Sequence, residues 1–300
     1  KRTLGCVESI SHDLDKYLEE FNIDSGHWAL VPRVIYFSDS GINNLFQALK
    51  VLENEFLGKI WNADTKTEYK FALLESDVIH PRGPIDDVSD AHARIRDNLF
   101  RYLGLAFLDS EKTITEKVIT PIGYKFLETV GISERKKLLG NRLFRLHFWN
   151  PVVPTNRYGD FSIIPLKILI KIIYNVGYIS PVEYNLFVTK IKNSDEIDDR
   201  LKFIECLRSY PEERKLGIIN RLENSLTDDR STSLYHEFEQ MRKITFGFYS
   251  LTKGIDIEEN SYNLILGDKN AFNDMLIFAK DKKYIRFDNL NDWINYFGHE

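Results

Sequence analysis

The chain has 300 residues, of which 43% are hydrophobic and 13% aromatic, and its formal net charge is −5. This composition excludes global disorder and allows two domains with sizeable cores. The acidic balance gives no general support to nucleic-acid binding, which needs basic surface, although a local basic face is still compatible with it.

The sequence also lacks the features of a membrane protein or a zinc protein. The longest apolar run, Ile163–Ile173, is too short to span a bilayer and is interrupted by two lysines. The two cysteines are solitary and have no CxxC spacing, so neither a zinc site nor a disulfide framework is expected. We therefore expect a cytoplasmic protein with no membrane partner.

The first 90 residues are predicted to contain two helices. Residues 10–22 read as a short amphipathic helix, and residues 28–37 read as extended. A second helix over about 41–57 is predicted by an apolar stripe at helical spacing, and Gly58 ends it. The pattern between 64 and 90 is irregular and predicts a loop or linker.

The next segment has the order of the closing half of a winged helix. Residues 90–103 predict a helix that Gly104 ends, and a strand is predicted over 105–108. A turn, a second strand over 112–120 and another helix follow. Helix, strand, hairpin and strand in this order are typical of winged-helix DNA-binding domains.

A helical hairpin is predicted over 163–192. Gly177 stands where a residue in the left-handed conformation would end the first helix. Ser180, Pro181 and Glu183 are the N-cap, N1 and N3 residues of a capping box that begins the second helix. Such helical frames often carry DNA recognition. A long helix follows over about 195–225, with a break near Pro211.

The order helix, strand, hairpin and strand is predicted to occur a second time near the C-terminus. A helix over about 233–245 is followed by an aromatic strand, Phe246–Leu251, and a turn at Lys253–Gly254. This is either a second structural copy or a chance recurrence of a common pattern. Two terminal helices at 271–279 and 288–298 then flank a strand at 282–287.

Together these elements predict a helix-rich α+β fold with two winged-helix-like subdomains joined by a helical linker. The first recognition subdomain would cover 1–160, the helical hairpin and linker 161–225, and the second recognition subdomain 226–300.

No catalytic motif is present. The sequence contains no glycine-rich phosphate loop, no HExxH and no GxSxG. The triplet Glu134-Arg135-Lys136 has the ExK letters of a nuclease, but it lies in a basic helical stretch without a partner aspartate. We assign no catalytic residue, no metal ligand and no cofactor to this chain.

Candidate DNA contacts follow from the predicted helices instead. On 90–103, the face opposite the apolar stripe carries side chains suited to reading bases, namely Arg94, Arg96, Asn98 and Arg101. Ordinary surface ion pairs with Asp90 and Asp97 are the alternative. Phosphate contacts are predicted for a basic stretch that includes Lys136, Lys137 and Arg142. The alternative is that this stretch is an ordinary solvated helix face.

The helix near 233 is the other candidate for recognition, since the start of such a helix meets base edges. Its predicted contacts are Arg230, Ser231, Thr232, Ser233, Tyr235, His236, Gln240, Arg242 and Lys243. The alternative for the serine and threonine cluster is a simple helix cap.

The order of several segments resembles the N-terminal recognition region of AlwI-type type IIS restriction endonucleases, which include the BstNBI nicking enzymes. The matching stretches are LKVLENEFLGKIW (49–61), ITPIGYKFLE (119–128), RLFRLHFWNP (142–151), FSIIPLKILIKIIYNVGYISPVEYNLFVTKI (161–191) and FIECLRSYPEE (203–213). The resemblance covers about 50–290 and lies in the order of segments. The family's Arg-Ser-Pro-like element is replaced here by VPRVIYFSDSG, which leaves Arg33 as its candidate DNA contact.

The resemblance implies a protein of a restriction-modification system that binds double-stranded DNA. In such hydrolases a separate Mg²⁺-dependent nuclease domain or subunit cuts the DNA, so this chain alone would be inert. Two alternatives stay open: an unrecognised nuclease centre that uses acidic residues of 1–90, and a winged-helix module that binds proteins.

Overall fold

A computed structural model describes residues 8–21, 37–80, 91–108, 116–148, 150–151, 161–224 and 246–299. The chain forms two compact units. Unit 1 comprises residues 1–29, 147–149 and 153–285, and unit 2 comprises residues 30–146, 150–152 and 286–300. The predicted helix-rich α+β class is confirmed. Neither unit is one continuous segment, and the recognition subdomain boundaries at 160 and 225 stay a prediction.

The helices and strands are numbered along the chain. The helices are α1 (Glu8–Glu19), α2 (Asp39–Val51), α3 (Ala63–Glu75), α4 (Ala91–Leu103), α5 (Pro121–Glu128), α6 (Ile132–Arg142), α7 (Pro165–Val176), α8 (Pro181–Leu186), α9 (Ile197–Ser209), α10 (Glu212–Asn224), α11 (Gly247–Ser250), α12 (Lys269–Lys280) and α13 (Leu290–Phe297). The strands are β1 (Ala106–Leu108), β2 (Lys117–Ile119), β3 (Tyr178–Ile179), β4 (Ile255–Ile257) and β5 (Leu264–Leu266). A π-helical turn, Leu52–Phe56, extends α2, and 3₁₀ turns lie at Val188–Lys190 and Ser194–Glu196.

Unit 2 contains three helices followed by an antiparallel hairpin, in the order that the sequence predicts for its second half. The helices α2, α3 and α4 precede an antiparallel hairpin in which Phe107 of β1 lies opposite Val118 of β2. An isolated bridge between Ile60 and Glu116 adds a third extended segment. Gly104 connects α4 to β1 with φ +74, and a Cβ there would lie 2.6 Å from a backbone oxygen of α13. Glycine is therefore required where this turn packs closely.

The buried face of α4 follows the predicted stripe. Leu99 and Leu103 are fully buried, together with Phe100, whereas Ile95 is half-buried. Burial of these side chains against β1 and α3 fixes the rotation of α4 and leaves Arg94 exposed. The helix and the first strand of the hairpin are therefore confirmed.

Unit 1 repeats this order. Helix α7 is followed by β3 and α8, and later by α11, β4 and β5, while α9 and α10 are inserted between the two halves. The antiparallel sheet has the order β3-β5-β4, with Ile179 opposite Leu264. The capping box of Ser180 and Glu183 is confirmed.

The first helix of each copy ends in the same way. Gly58 with φ +76 follows the π-helical turn after α2, and Gly177 with φ +87 follows α7. In both copies a short extended segment then leads to a polar N-cap, Asn62 or Ser180. The glycine and the N-cap residue are each set by neighbouring residues. Their repetition after α2 and α7 can therefore be recognised in the sequence once the positions of these helices are known.

Three predicted elements are wrong. The aromatic strand at 246–251 is helical, since residues 247–250 form α11 and the strands come later. Phe246 and Tyr249 both contact Tyr184. They stand three residues apart, which is the spacing of side chains on one face of a helix.

The other two wrong predictions concern a strand and a loop. Residues 282–287 form no strand. The segment after residue 64 contains α3, whose buried face mixes Thr65 with Tyr69 and so shows little apolar periodicity. Most of the extended segment predicted at 28–37 lies outside the described residues.

Candidate nucleic-acid interface

Among the described residues, Arg94 is the most accessible predicted base contact. It is exposed on the second turn of α4 and has no partner among the described residues. A guanidinium in this state retains all its donors for a guanine edge or a phosphate.

The other polar side chains of α4 are held in a cluster. The Arg101 guanidinium donates to Asn98 Oδ1 and lies 3.9 Å from the carboxylate of Asp97. The same carboxylate accepts a hydrogen bond from the ammonium of Lys117 on β2. Asn98 and Arg101 are therefore partly engaged with each other, and burial lowers the pKa of Arg101.

Lys117 is the member of this cluster that sequence reasoning missed. Its side chain is fully buried, and its ammonium lies 5.1 Å from the centre of the Trp61 ring. Burial lowers the pKa of Lys117 to about 7. Its partner stands 20 residues earlier, so no local pattern indicates the pair.

Arg96 has a structural contact. Its Nη2 donates to the backbone oxygen of Val78 at 3.1 Å, and burial lowers its pKa. This bond ties α4 to the residues that follow α3. Arg96 is therefore less available to DNA than Arg94.

The two predicted phosphate contacts on α6 differ. Lys137 is exposed and has no partner among the described residues. Lys136 forms an ion pair of 2.5 Å with Asp39 at the start of α2. Arg135, which precedes Lys136, donates to the backbone oxygen of Thr129, and its guanidinium lies 3.5 Å from the centre of the Phe46 ring. Lys137 is thus the better phosphate contact.

Arg142 does not support the prediction of a phosphate contact. It is 3% exposed, and its guanidinium donates to the backbone oxygens of Phe297 and His299. Burial, with Arg145 close by, lowers its pKa to about 9. Arg145 donates to the oxygens of Tyr296 and His299. Both arginines thus satisfy free carbonyls at the C-terminal end of α13, where a positive charge is favoured.

The remaining predicted contacts lie outside the described residues. They are Arg33, Arg230, Ser231, Thr232, Ser233, Tyr235, His236, Gln240, Arg242 and Lys243.

None of the described helices is both long and apolar enough to cross a membrane. No group of three or more His, Cys, Asp or Glu side chains in the described ranges could hold a metal ion.

The sequence matches no protein-family model, and no curated protein matches it. A solved structure is similar over nearly the whole chain: the binding domain of the BpuJ1 endonuclease, determined in complex with pyrene- and phenanthrene-modified DNA. The identity is 15% and the TM-score 0.53, and the match covers 93% of this chain and 100% of that one. The protein described here therefore has the fold of an endonuclease binding domain.

Proposed function

We propose that this chain binds double-stranded DNA sequence-specifically, as the recognition part of a type IIS restriction or nicking endonuclease of the AlwI-like kind. The observation that carries the proposal is the likeness in fold, over 93% of the chain, to an endonuclease binding domain that was solved with DNA. The winged-helix-like order of both units supports it, because that order is used for reading the major groove.

The described surface of unit 2 supplies two kinds of contact to this proposal. Arg94 on α4 would reach a base edge or a nearby phosphate, and Lys137 on α6 would neutralise a phosphate. Phosphate contacts fix the register, while base contacts give the specificity. The pairing of Asp97 with Lys117 would hold α4 in place against β2.

In this proposal the residues at 230–243 read the other part of the site, and Mg²⁺-dependent cleavage belongs to a separate nuclease domain or subunit. The recognised sequence would be asymmetric, since the two units differ in sequence and each would read its own bases. The protein would act in the cytoplasm as part of a restriction-modification system.

A binding selection from a pool of randomised duplexes tests the proposal, carried out at low and at near-physiological salt. We expect one asymmetric site of about five base pairs whose enrichment survives the higher salt. Binding that disappears with salt and enriches no sequence would overturn it. Incubation of the purified chain with supercoiled plasmid and Mg²⁺ is the companion assay, in which nicking would assign the nuclease centre to this chain itself.

A further inference from the structure

Unit 1 contains a cavity whose described lining residues include none of the predicted DNA contacts. Its volume is about 440 Å³, and it lies between α7, the start of α9, α12 and the segments that flank α7 and α12. The floor is apolar and includes Ile164, Ile168, Ile197, Leu276 and Ala279. A cavity of this size and lining is typical of a site that receives an apolar side chain or a small apolar group.

The rim of this cavity is cationic. Among the described lining residues there are five lysines and no carboxylate: Lys167, Lys171, Lys280, Lys282 and Lys283. Lys171 forms an ion pair of 3.1 Å with Asp198, whereas Lys280 and Lys283 are exposed and have no partner among the described residues. In a chain with a net charge of −5, this is a local excess of positive charge. It complements a negatively charged ligand.

Exposed apolar side chains occur on α7 and α12, two helices that line the cavity. Tyr174 lines it and is 62% exposed, and Ile277 and Phe278, next to the lining residues of α12, are 70% and 49% exposed. The ammonium of Lys282 lies 4.2 Å from the centre of the Phe278 ring. Apolar surface therefore extends beyond the cavity, which indicates a contact larger than a small molecule would make.

We propose that this lysine-rimmed cavity is the docking site for an acidic, amphipathic polypeptide segment of a partner protein. Its apolar side chains would fill the cavity and cover Ile277, while its Asp and Glu side chains would pair with Lys280 and Lys283. The apolar floor and exposed aromatic side chains argue against a DNA backbone as the occupant, because protein–DNA interfaces are more polar and rely on phosphate contacts.

The docking site goes beyond the proposed function and is separable from it. None of the cavity's lining residues belongs to α4, α6 or the β4–β5 hairpin. The docking site and the proposed DNA contacts of α4 and α6 therefore use different side chains. Changes at the cavity should accordingly affect peptide binding and leave DNA binding unaltered.

The test is a display selection of random 16-residue peptides on the full chain, followed by fluorescence anisotropy with the recovered peptides. The variant Lys280→Glu/Lys283→Glu reverses the rim charge, and Ile277→Ser removes exposed apolar surface. Lys269→Glu is the control for charge reversal on α12, because it reverses one lysine charge at the other end of the helix, away from the cavity. Circular dichroism and the DNA affinity of each variant are measured in parallel.

We expect the recovered peptides to be acidic with regularly spaced apolar residues. Their affinity should fall at least tenfold in the double variant and about fivefold in Ile277→Ser, while Lys269→Glu changes it less than twofold. Peptides without acidic bias, or equal binding to the double variant and the control, would overturn the proposal. A double variant that loses DNA affinity would instead make the cavity rim part of the DNA interface.

Discussion

The ammonium of Lys117 on β2 contacts the carboxylate of Asp97 on α4 inside unit 2. Lys117 is 2% exposed, and the pair joins the strand that closes the hairpin to the helix with the predicted base contacts. Burial, to which the charge of Lys66 adds, lowers the pKa of Lys117 to about 7, and the carboxylate of Asp97 is the opposite charge that its ammonium contacts. The position of α4 thus depends on a buried ion pair.

The first prediction concerns this pair. Lys117→Met leaves the carboxylate of Asp97 without its buried partner, and we expect the free energy of unfolding to fall by about 3 kcal/mol. The double variant Lys117→Met/Asp97→Leu should recover most of that loss, because an apolar pair needs no desolvated charge. Urea unfolding midpoints measure both effects, with Lys50→Met on the exposed face of α2 as the control. Equal midpoints for Lys117→Met and the control would show that the pair does not stabilise unit 2.

The second prediction separates the two lysines of α6. Lys137→Ala should weaken binding to all duplexes alike and reduce the slope of log affinity against log salt by about 1, as expected for one lost phosphate contact. Lys136→Ala should have a smaller effect, because its charge is already paired with Asp39. Titrations of one specific and one unrelated duplex at several salt concentrations measure this. If neither slope changes, α6 does not contact DNA.

The third prediction concerns specificity in the segment around residue 240. Gln240→Ala with Arg242→Ala should relax the preference for the selected site by about 1–3 kcal/mol at the bases they read, while the fold stays intact. Arg214→Ala is the control, since Arg214 forms an exposed ion pair with Asp15 on α1. Repeating the duplex selection with both variants measures the change. An unaltered base preference would remove this segment from the recognition surface.

The sequence was sufficient to predict those features whose causes are local. Gly177 and the capping box at Ser180 need only neighbouring residues, and the structure has them as predicted. For Arg142 the sequence predicts a phosphate contact, whereas its partners in the structure are the carbonyls at the end of α13, which stand 155 and 157 residues later. A basic helix looks the same in sequence whether its arginine meets a phosphate or a carbonyl. Tertiary contact alone distinguishes the two.

His147 in unit 1 provides a test of the fold that is independent of DNA. The ring is fully buried, and its Nδ1 lies 3.1 Å from the backbone oxygen of Ile285, to which a protonated Nδ1 donates, and 3.1 Å from the backbone nitrogen of the same residue. Burial lowers the pKa of His147 to about 4, and the charge of Lys282 lowers it further, against the opposing effect of the backbone hydrogen bond. The folded protein therefore holds a neutral imidazole under conditions in which an exposed histidine is protonated.

The fourth prediction is the pH dependence that follows from this. Above pH 6.5 the imidazole is neutral in the folded and the unfolded chain, so it contributes no slope. Between pH 6.5 and about 4, the unfolded chain binds a proton that the folded chain excludes, and stability falls as the pH falls. Over that window the loss in the free energy of unfolding attributable to His147 should reach about 3 kcal/mol.

Urea unfolding of the full chain between pH 4 and pH 8 measures this effect. The free energy of unfolding should decline less steeply with falling pH for His147→Gln than for the parent. His12→Gln is the control, since His12 is exposed on α1, and its curve should follow that of the parent. Parallel curves for His147→Gln and the parent would mean that the buried imidazole is protonated in the folded state as easily as in the unfolded chain.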